Sequence, residues 1–168
     1  MTGISTQAKV KSVPARKGRT VALLGWAITY LDEPADTGDA FMLFEQRTAS
    51  GGMIPPHRED NHEAFYILEG TFEIEIEGEA NRYQVGDFLA IQPGLLHSIR
   101  NVGPGWGRFM CVVTPGSQHQ RFFDTLGEPH NAEADPPTPT RSPDFERIAA
   151  VGEANGIHFL PPPPETSP

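Results

Sequence analysis

The sequence predicts an all-β protein, a sandwich or barrel of many short strands. The 168-residue chain contains 17 glycines and 17 prolines, which interrupt its apolar runs as turns between strands do. The stretch TFEIEIEGE, from residue 71, alternates apolar and acidic residues. An alternation of period two indicates a strand whose apolar residues face a core and whose acidic residues face solvent. Short runs of the same kind recur as far as residue 114, a pattern typical of sandwiches and barrels.

The predicted strands fill most of the region between residues 20 and 114. EAFYILEG and TFEIEIEG meet at Gly70 and indicate two antiparallel strands around a tight turn, and Gly78 ends the second of them. The other strand candidates are 20–31, 40–48, 87–92, 96–102 and 107–114.

Beyond Pro115 the pattern changes from strands to helices. Ser117 is predicted to cap a short helix that ends at Gly127, with Phe122, Phe123 and Leu126 as its apolar residues.

The stretch 128–143 is polar and rich in proline, which predicts an irregular linker. Ser142 and Pro143 then open a second predicted helix, which ends at Asn155-Gly156. Its apolar stripe consists of Phe145, Ile148 and Ala149. The final PPPPETSP cannot continue a helix and is predicted to run extended or disordered.

These patterns divide the chain into three parts. They predict an N-terminal arm (1–19), one barrel (20–127), and a proline-rich linker with a short helix and a C-terminal tail (128–168).

Charge and composition exclude several classes of function. Thirteen basic and 22 acidic residues give a formal charge of −9, so the chain lacks the basic footprint of a nucleic-acid-binding protein. A basic cluster near the start is interpreted as a solvated arm. Its members are Lys9, Lys11, Arg16, Lys17 and Arg19.

The sequence also favours a cytoplasmic protein. No run approaches the roughly 18 apolar residues of a membrane span, and VALLGWA at 21–27 is too short and too late for a signal peptide. Cys111 is the only cysteine, so no intramolecular disulfide forms. It lies in the apolar run FMCVV and is predicted to be a core residue.

Histidines and acids in two separate stretches have the spacing of metal ligands. His57 and Glu59 are two residues apart, so on a strand they share one face. Glu63 opens the apolar run EAFYIL, and His97 begins a predicted strand far along the chain. A single strand histidine is more often structural, and HREDNHE alone is acidic enough for a solvated loop. The two stretches together indicate a metal site.

The two stretches resemble the motifs of the cupin superfamily. The first motif is G, five residues, H-x-H, three or four residues, E, six residues, G. It is matched by Gly51, His57-Arg58-Glu59, Glu63 and Gly70. The second motif is G, five residues, P-x-G, two residues, H, three residues, N. It is matched by Gly86, Gln92-Pro93-Gly94, His97 and Asn101, with Gln92 in place of the first proline. The downstream TPGSQHQRFFDTLG is similar to the tail of small single-domain cupins akin to quercetin dioxygenases.

The resemblance implies a double-stranded β-helix, or jelly-roll barrel, with one divalent metal ion inside its mouth. The implied ligands are His57, Glu59, Glu63 and His97. Glu59 stands where the second histidine of the motif is expected. One alternative is that His62 reaches inward instead, and another is that the site holds no functional metal. Two carboxylates shift the preference toward Fe or Mn, with Ni, Co, Zn and Cu also compatible. The resemblance further implies a homodimer.

Three functions are compatible with such a site. The resemblance favours a mononuclear dioxygenase that acts on an aromatic or enolisable small molecule, with Glu63 as general base. The alternatives are a metal-dependent isomerase, lyase or cyclase that does not use O₂, and a non-catalytic module that binds a small ligand. The candidate substrate-lining residues are Met42, Phe44, Phe65, Phe72 and Ile99, each of which is equally suited to the core.

Overall fold

The computed structural model describes residues 10–139 and 142–161. The described chain contains twelve strands and three helices. One helix is a short turn between two strands, and the other two lie in the C-terminal third. In chain order, the strands and helices are β1 (Thr20–Leu23), β2 (Trp26–Asp32), α1 (Pro34–Thr37), β3 (Met42–Thr48), β4 (Met53–Glu59), β5 (His62–Glu69), β6 (Thr71–Ile76), β7 (Glu79–Gln84), β8 (Phe88–Ile91), β9 (His97–Asn101), β10 (Gly107–Thr114), α2 (Ser117–Leu126), β11 (Glu128–Pro129), α3 (Phe145–Glu153) and β12 (Ile157–Phe159).

The strands form two antiparallel sheets, and the chain crosses repeatedly from one to the other. The larger sheet has the order β11-β1-β2-β3-β10-β5-β8, and the smaller has the order β12-β4-β9-β6-β7. Neighbours in each sheet are mostly distant in sequence, as in a jelly roll. The prediction of an all-β barrel with small C-terminal helices is confirmed.

The core lies between the two sheets and follows the alternation of the strands. On β6, Phe72 and Ile74 are buried while Glu73 is only partly so, which confirms the predicted period of two. Trp26 stacks on Phe72 and packs against Phe109 with ring centroids 6.3 and 5.6 Å apart. Burial of each such ring stabilises the fold by roughly 1.5–3 kcal/mol, so these aromatic contacts hold the two sheets together.

The predicted hairpin between β5 and β6 is wrong. β5 pairs with β10 and β8 in the larger sheet, whereas β6 pairs with β9 and β7 in the smaller one. Gly70 therefore marks the point where the chain leaves one sheet for the other. The hairpin lies one strand later, between β6 and β7, around Glu77 and Gly78 with φ of 48° and 85°. Two consecutive left-handed residues are the usual geometry of a two-residue hairpin.

The segment 20–31, predicted as one strand, is a second hairpin. Leu24 and Gly25 have φ of 53° and 82°, and they fold β1 back onto β2. β7 was not among the predicted strands, because its sequence EANRYQ is polar and mostly exposed at the sheet edge. An edge strand lacks the buried face that produces apolar alternation.

The two predicted helices are present, but their first residues differ from the prediction. Ser117 lies inside α2 rather than capping it, and its N–H and hydroxyl bond to the carboxylate of Asp39 at 2.7 and 3.0 Å. α3 is capped by Asp144, which accepts from the N–H of Arg147 at 3.0 Å, rather than by Ser142.

The segment after residue 127 contributes to both sheets. β11 pairs with β1, and β12 pairs with β4. Arg121 of α2 donates to Asn155 after α3 at 3.0 Å, which holds the two helices together. Of the predicted PPPPETSP tail, all but the first proline lies outside the described residues.

The described basic residues near the start face acids of the same chain. Lys17 lies 2.6 Å from Glu133, and Arg19 lies 2.7 Å from Asp124 with its guanidinium 4.0 Å from the centre of the Tyr30 ring. Lys9 lies outside the described residues. Among the helices of the described chain, none has the length and apolarity needed to cross a membrane.

Gly70 and Gly78 give a matched test of the sheet crossing, because both have left-handed φ values, 83° and 85°. A Cβ at residue 70 would lie 2.7 Å from the carbonyl oxygen of Trp106, whereas nothing lies within 4 Å of one at residue 78. We expect Gly70→Ala to lower the free energy of unfolding by about 2 kcal/mol or more. Gly78→Ala should lower the free energy of unfolding by only about 1 kcal/mol. Urea denaturation measures both, and equal losses would contradict this account of the crossing.

Candidate metal centre

Four side chains from both sheets converge inside the barrel. His57 and Glu59 lie on β4, Glu63 on β5 and His97 on β9, and all four are buried. One ligand-type atom from each lies within 4.8 Å of the others. β4 and β9 are neighbours with His57 opposite His97, while Glu63 reaches across from the larger sheet. The pairing of the strands thus brings together residues that are distant in sequence.

Backbone hydrogen bonds orient both imidazoles. The Nδ1 of His57 lies 2.8 Å from the carbonyl oxygen of Pro55, and the Nδ1 of His97 lies 3.0 Å from that of Leu95. Because a carbonyl oxygen only accepts, each Nδ1 carries the proton and donates. Each Nε2 is therefore the nitrogen directed into the cluster, and it binds a metal when it carries no proton.

His119 is a fifth polar residue at this cluster, and the sequence analysis missed it. It lies on α2, is buried, and its Nε2 is 3.0 Å from Glu59 Oε1 and 3.8 Å from Glu63 Oε1. The spacing of residues in the predicted helix could have revealed it. Positions three and four residues apart share a helix face, so His119 belongs to the same buried face as Phe122 and Phe123.

His62 does not join the cluster. It is exposed at the start of β5, next to the buried Glu63. Successive side chains on a strand point to opposite faces, so a chain that buries Glu63 turns His62 outward. Glu59, by contrast, occupies the inward position where the resemblance expects a histidine.

Charge within the cluster is balanced between carboxylates and imidazoles. Burial alone would raise the pKa of the Glu59 carboxyl, but the imidazoles of His119 and His57 hold that pKa below its usual range. Burial opposes the protonation of His97 and His119, yet Glu63 and Glu59 beside them raise both pKa values above the ordinary one. Two buried carboxylates thus require positive charge at close range, which protons or a cation can supply.

Cys111 lies beside the cluster as a neutral thiol. Burial raises the pKa of Cys111 well above its usual value. Its Sγ lies 3.5 Å from Glu63 Oε1 and donates a weak hydrogen bond to it. This contact helps to hold the carboxylate of Glu63 in place.

The residues present fit a metal ion. Three of their buried atoms, Glu59 Oε2, Glu63 Oε2 and His97 Nε2, have no hydrogen-bond partner among the described residues. His97 Nε2 and Glu63 Oε2 lie 3.2 Å apart, but they are not aligned for a hydrogen bond. Unpaired buried polar atoms are costly, and a shared cation would satisfy all three. Imidazole nitrogens with carboxylate oxygens suit divalent transition metals.

An apolar cavity leads to this cluster. The space within it that the centre of a water-sized sphere can reach is about 50 Å³, and the surrounding space not filled by atoms, about 540 Å³, includes open solvent. His57, Glu59, Glu63 and His119 form its polar end. Its apolar walls include Leu24, Trp26, Met53 and Phe123.

The structure divides the five predicted substrate-lining residues into two groups. Phe44 and Ile99 line the cavity. Met42, Phe65 and Phe72 are fully buried in the core and do not line it. Phe65 and Phe72 each pack edge-on against Phe109 with ring centroids 5.2 Å apart, which places them in the aromatic core rather than at the cavity.

The C-terminal segment closes one wall of the cavity. Ile157 and Phe159 of β12 line it. The Phe159 ring stacks on His57 with centroids 5.3 Å apart and on Phe122 with centroids 5.8 Å apart. A segment that the sequence predicted to be an appendage therefore contacts a candidate ligand.

Comparison with known proteins agrees with this fold and these motifs. The family model for the Cupin domain matches residues 44–113, which include all four residues predicted as ligands. Together with the two-sheet barrel, the match supports a cupin superfamily protein.

One relative carries a specific activity in its name. The chain is 29% identical over 128 residues to quercetin 2,3-dioxygenase of Bacillus subtilis (strain 168). The alignment covers 76% of this chain but 37% of that protein, so the chain spans well under half of its relative's length.

Solved structures show the same fold at low identity. One is a predicted oxalate decarboxylase from Thermotoga maritima, with a TM-score of 0.59 and 18% identity over 62% of this chain and 98% of that one. Another is an RmlC-like cupin from Shewanella frigidimarina, with a TM-score of 0.57 and 16% identity over 67% and 96% of the two chains. At these identities the likeness shows the fold alone.

Metal analysis of variants tests the ligand assignment. We expect protein purified without added metal to carry a divalent transition metal, and Glu59→Ala to lose most of it, because removal of an inward carboxylate leaves the others unable to hold the ion. His62→Gln should retain the wild-type content, because His62 faces solvent. Elemental analysis of the three proteins gives the result. A wild type below about a tenth of an equivalent, or an undiminished Glu59→Ala, would contradict the assignment.

Proposed function

We propose that this protein is a mononuclear metal-dependent dioxygenase acting on a neutral aromatic or enolisable small molecule. One observation carries the proposal: three members of the four-residue cluster, His57, Glu59 and Glu63, lie at the polar end of an otherwise apolar cavity. A few convergent polar groups at the end of an apolar pocket are the usual form of a small-molecule site.

His57, Glu59, Glu63 and His97 are the proposed ligands. Two oxygen-donor carboxylates beside two imidazoles favour Fe or Mn over softer ions. When bound, such an ion supplies Lewis-acid and redox chemistry. The Nδ1–H bonds to Pro55 and Leu95 keep both imidazoles in the ligating tautomer.

Glu63 is the proposed general base. It lines the cavity and its Oε2 lacks a hydrogen-bond partner among the described residues. Glu63 is also a proposed ligand, so it would act as base only while its carboxylate is away from the ion. A substrate hydroxyl at the polar end of the cavity would then lie within reach of Oε2, and Glu63 would accept its proton. The hydrogen bond from Cys111 to the other oxygen, Oε1, orients the carboxylate for that task.

The cavity walls define the class of substrate. Among the described residues, the lining contains no lysine or arginine, and outside its polar end Gln46 is the one side chain with an amide. An anionic substrate would lose its hydration without gaining a partner in the wall, which is costly. A flat aromatic molecule would instead pack against the aromatic walls, and the name of the Bacillus subtilis relative contains such a molecule, quercetin.

Oxygen-consumption assays test the activity. With metal-loaded protein, we expect a neutral flavonol or diketone to be converted with consumption of O₂, and both atoms of ¹⁸O₂ to appear in the product by mass spectrometry. An analogue with a carboxylate on the part that faces the apolar walls should react poorly, because the described lining has no lysine or arginine there to receive it. Glu63→Gln removes a proposed ligand as well as the proposed base, so its rate is compared at equal metal content. At equal metal content it should lose at least about 100-fold in rate, as expected for a general base.

Other outcomes identify other functions. Conversion of the substrate without O₂ consumption would indicate an isomerase, lyase or cyclase. Tight binding without conversion by metal-loaded protein would indicate a binding module. Either result would overturn the proposal of a dioxygenase.

We also propose that the protein is a homodimer formed through the outer face next to β8. Tyr66 and Phe88 are paired across β5 and β8, and they are 42% and 65% exposed, with Val85 63% exposed nearby. β8 ends the larger sheet, so its edge and this apolar patch are free to pair with a second copy. Sedimentation velocity should show a dimer for the wild type and a monomer for Phe88→Glu. A monomeric wild type would contradict this arrangement.

A further inference from the structure

His119 approaches the candidate metal centre from a direction that neither sheet supplies. It is the third residue of α2, and its imidazole is buried between the barrel and the helix. The motifs on β4, β5 and β9 do not include it, so it has no role in the four-residue set.

The distances around Glu59 are those of neighbouring ligands on one ion. Glu59 Oε1 lies 3.1 Å from His57 Nε2 and 3.0 Å from His119 Nε2. Two donor atoms about 2.1 Å from a metal and at right angles to each other are about 3.0 Å apart. His119 Nε2 also lies 3.8 Å from Glu63 Oε1, so it faces both carboxylates of the cluster.

The surroundings of His119 hold its ring in this position. The ring stacks on Phe44 with centroids 6.2 Å apart and meets Phe123 edge-on at 5.7 Å. The start of α2 is fixed in turn, because Ser117 is bonded to Asp39. A Cβ on Gly116 would lie 2.5 Å from the Met42 nitrogen, so this approach of the helix requires glycine. His119 Nδ1 has no hydrogen-bond partner among the described residues, so packing alone directs Nε2 toward the two carboxylates.

We propose that His119 is a third imidazole ligand of the ion held by His57, Glu59, Glu63 and His97. The inference rests on the proposed metal site. On β4, Glu59 supplies a carboxylate where the motif has an imidazole. His119 on α2 would then supply the third imidazole nitrogen of the site. The resulting set is three imidazoles and two carboxylates, drawn from both sheets and one helix. The ligand atoms of the other four lie within 4.8 Å of one another without His119, so the ion would draw its Nε2 closer to them.

A different role for His119 is to hydrogen-bond Glu59 without touching the ion. The two roles differ in measurable ways. Loss of an outer hydrogen-bond partner typically weakens metal binding by about 10–100-fold, whereas loss of a ligand weakens it further. Only a ligand lies at bonding distance from the ion.

The first experiment is titration of metal-free protein with Mn²⁺ by calorimetry. We expect one site per chain in the wild type, an affinity lowered by more than about 100-fold in His119→Gln, and a wild-type affinity in His62→Gln. The last variant makes the same change at an exposed histidine outside the cluster. Binding by His119→Gln within threefold of the wild type would overturn the inference while leaving the proposed metal site intact.

The second experiment needs no variant and applies even if His119→Gln fails to fold. In a crystal structure of the Mn²⁺-loaded wild type, with the ion located by its anomalous signal, His119 Nε2 should lie within about 2.4 Å of the ion. A distance beyond about 3 Å would overturn the inference. Failure of the wild type to bind Mn²⁺ in the first experiment would instead overturn the metal site and the inference together.

Discussion

The burial of two carboxylates in an apolar barrel is the constraint on which the site depends. Glu59 and Glu63 are both buried and both face the same small volume. An isolated buried carboxylate is costly and two that face each other repel, so the fold must supply positive charge or hydrogen bonds at short range. Imidazoles surround the pair for this reason: His57 and His119 contact Glu59, and His97 faces Glu63.

The sheets satisfy that constraint through their topology. β4 and β9 are adjacent in the smaller sheet with His57 opposite His97, whereas β5 belongs to the larger sheet and presents Glu63 from the other side. The site therefore exists only when both sheets are assembled. The crossing between β4 and β5, at Asp60-Asn61, separates Glu59 from Glu63, and the crossing at Gly70 returns the chain to the smaller sheet, where β6 pairs with β9.

The sequence predicted features that depend on neighbouring residues and missed those that depend on distant ones. The spacing of His57 and Glu59 fixes a shared face whatever the strand pairs with, so their convergence was predictable. Gly70 is compatible with either a hairpin or a crossing, because both need a left-handed residue, and local patterns favoured the wrong one. His119 reaches the cluster through the packing of α2 on the barrel, which no spacing within one stretch reports.

Glu59 and His119 are best understood together. A carboxylate in place of an imidazole on β4 adds a negative charge to a buried site, and an imidazole on α2 within 3.0 Å is the nearest available compensation. That compensation requires α2 to stay on the barrel, where the pairing of β12 with β4 and the bond from Arg121 to Asn155 hold it. The C-terminal segment thus has a reason to be ordered against the barrel. It completes an electrostatic balance that the two sheets leave incomplete.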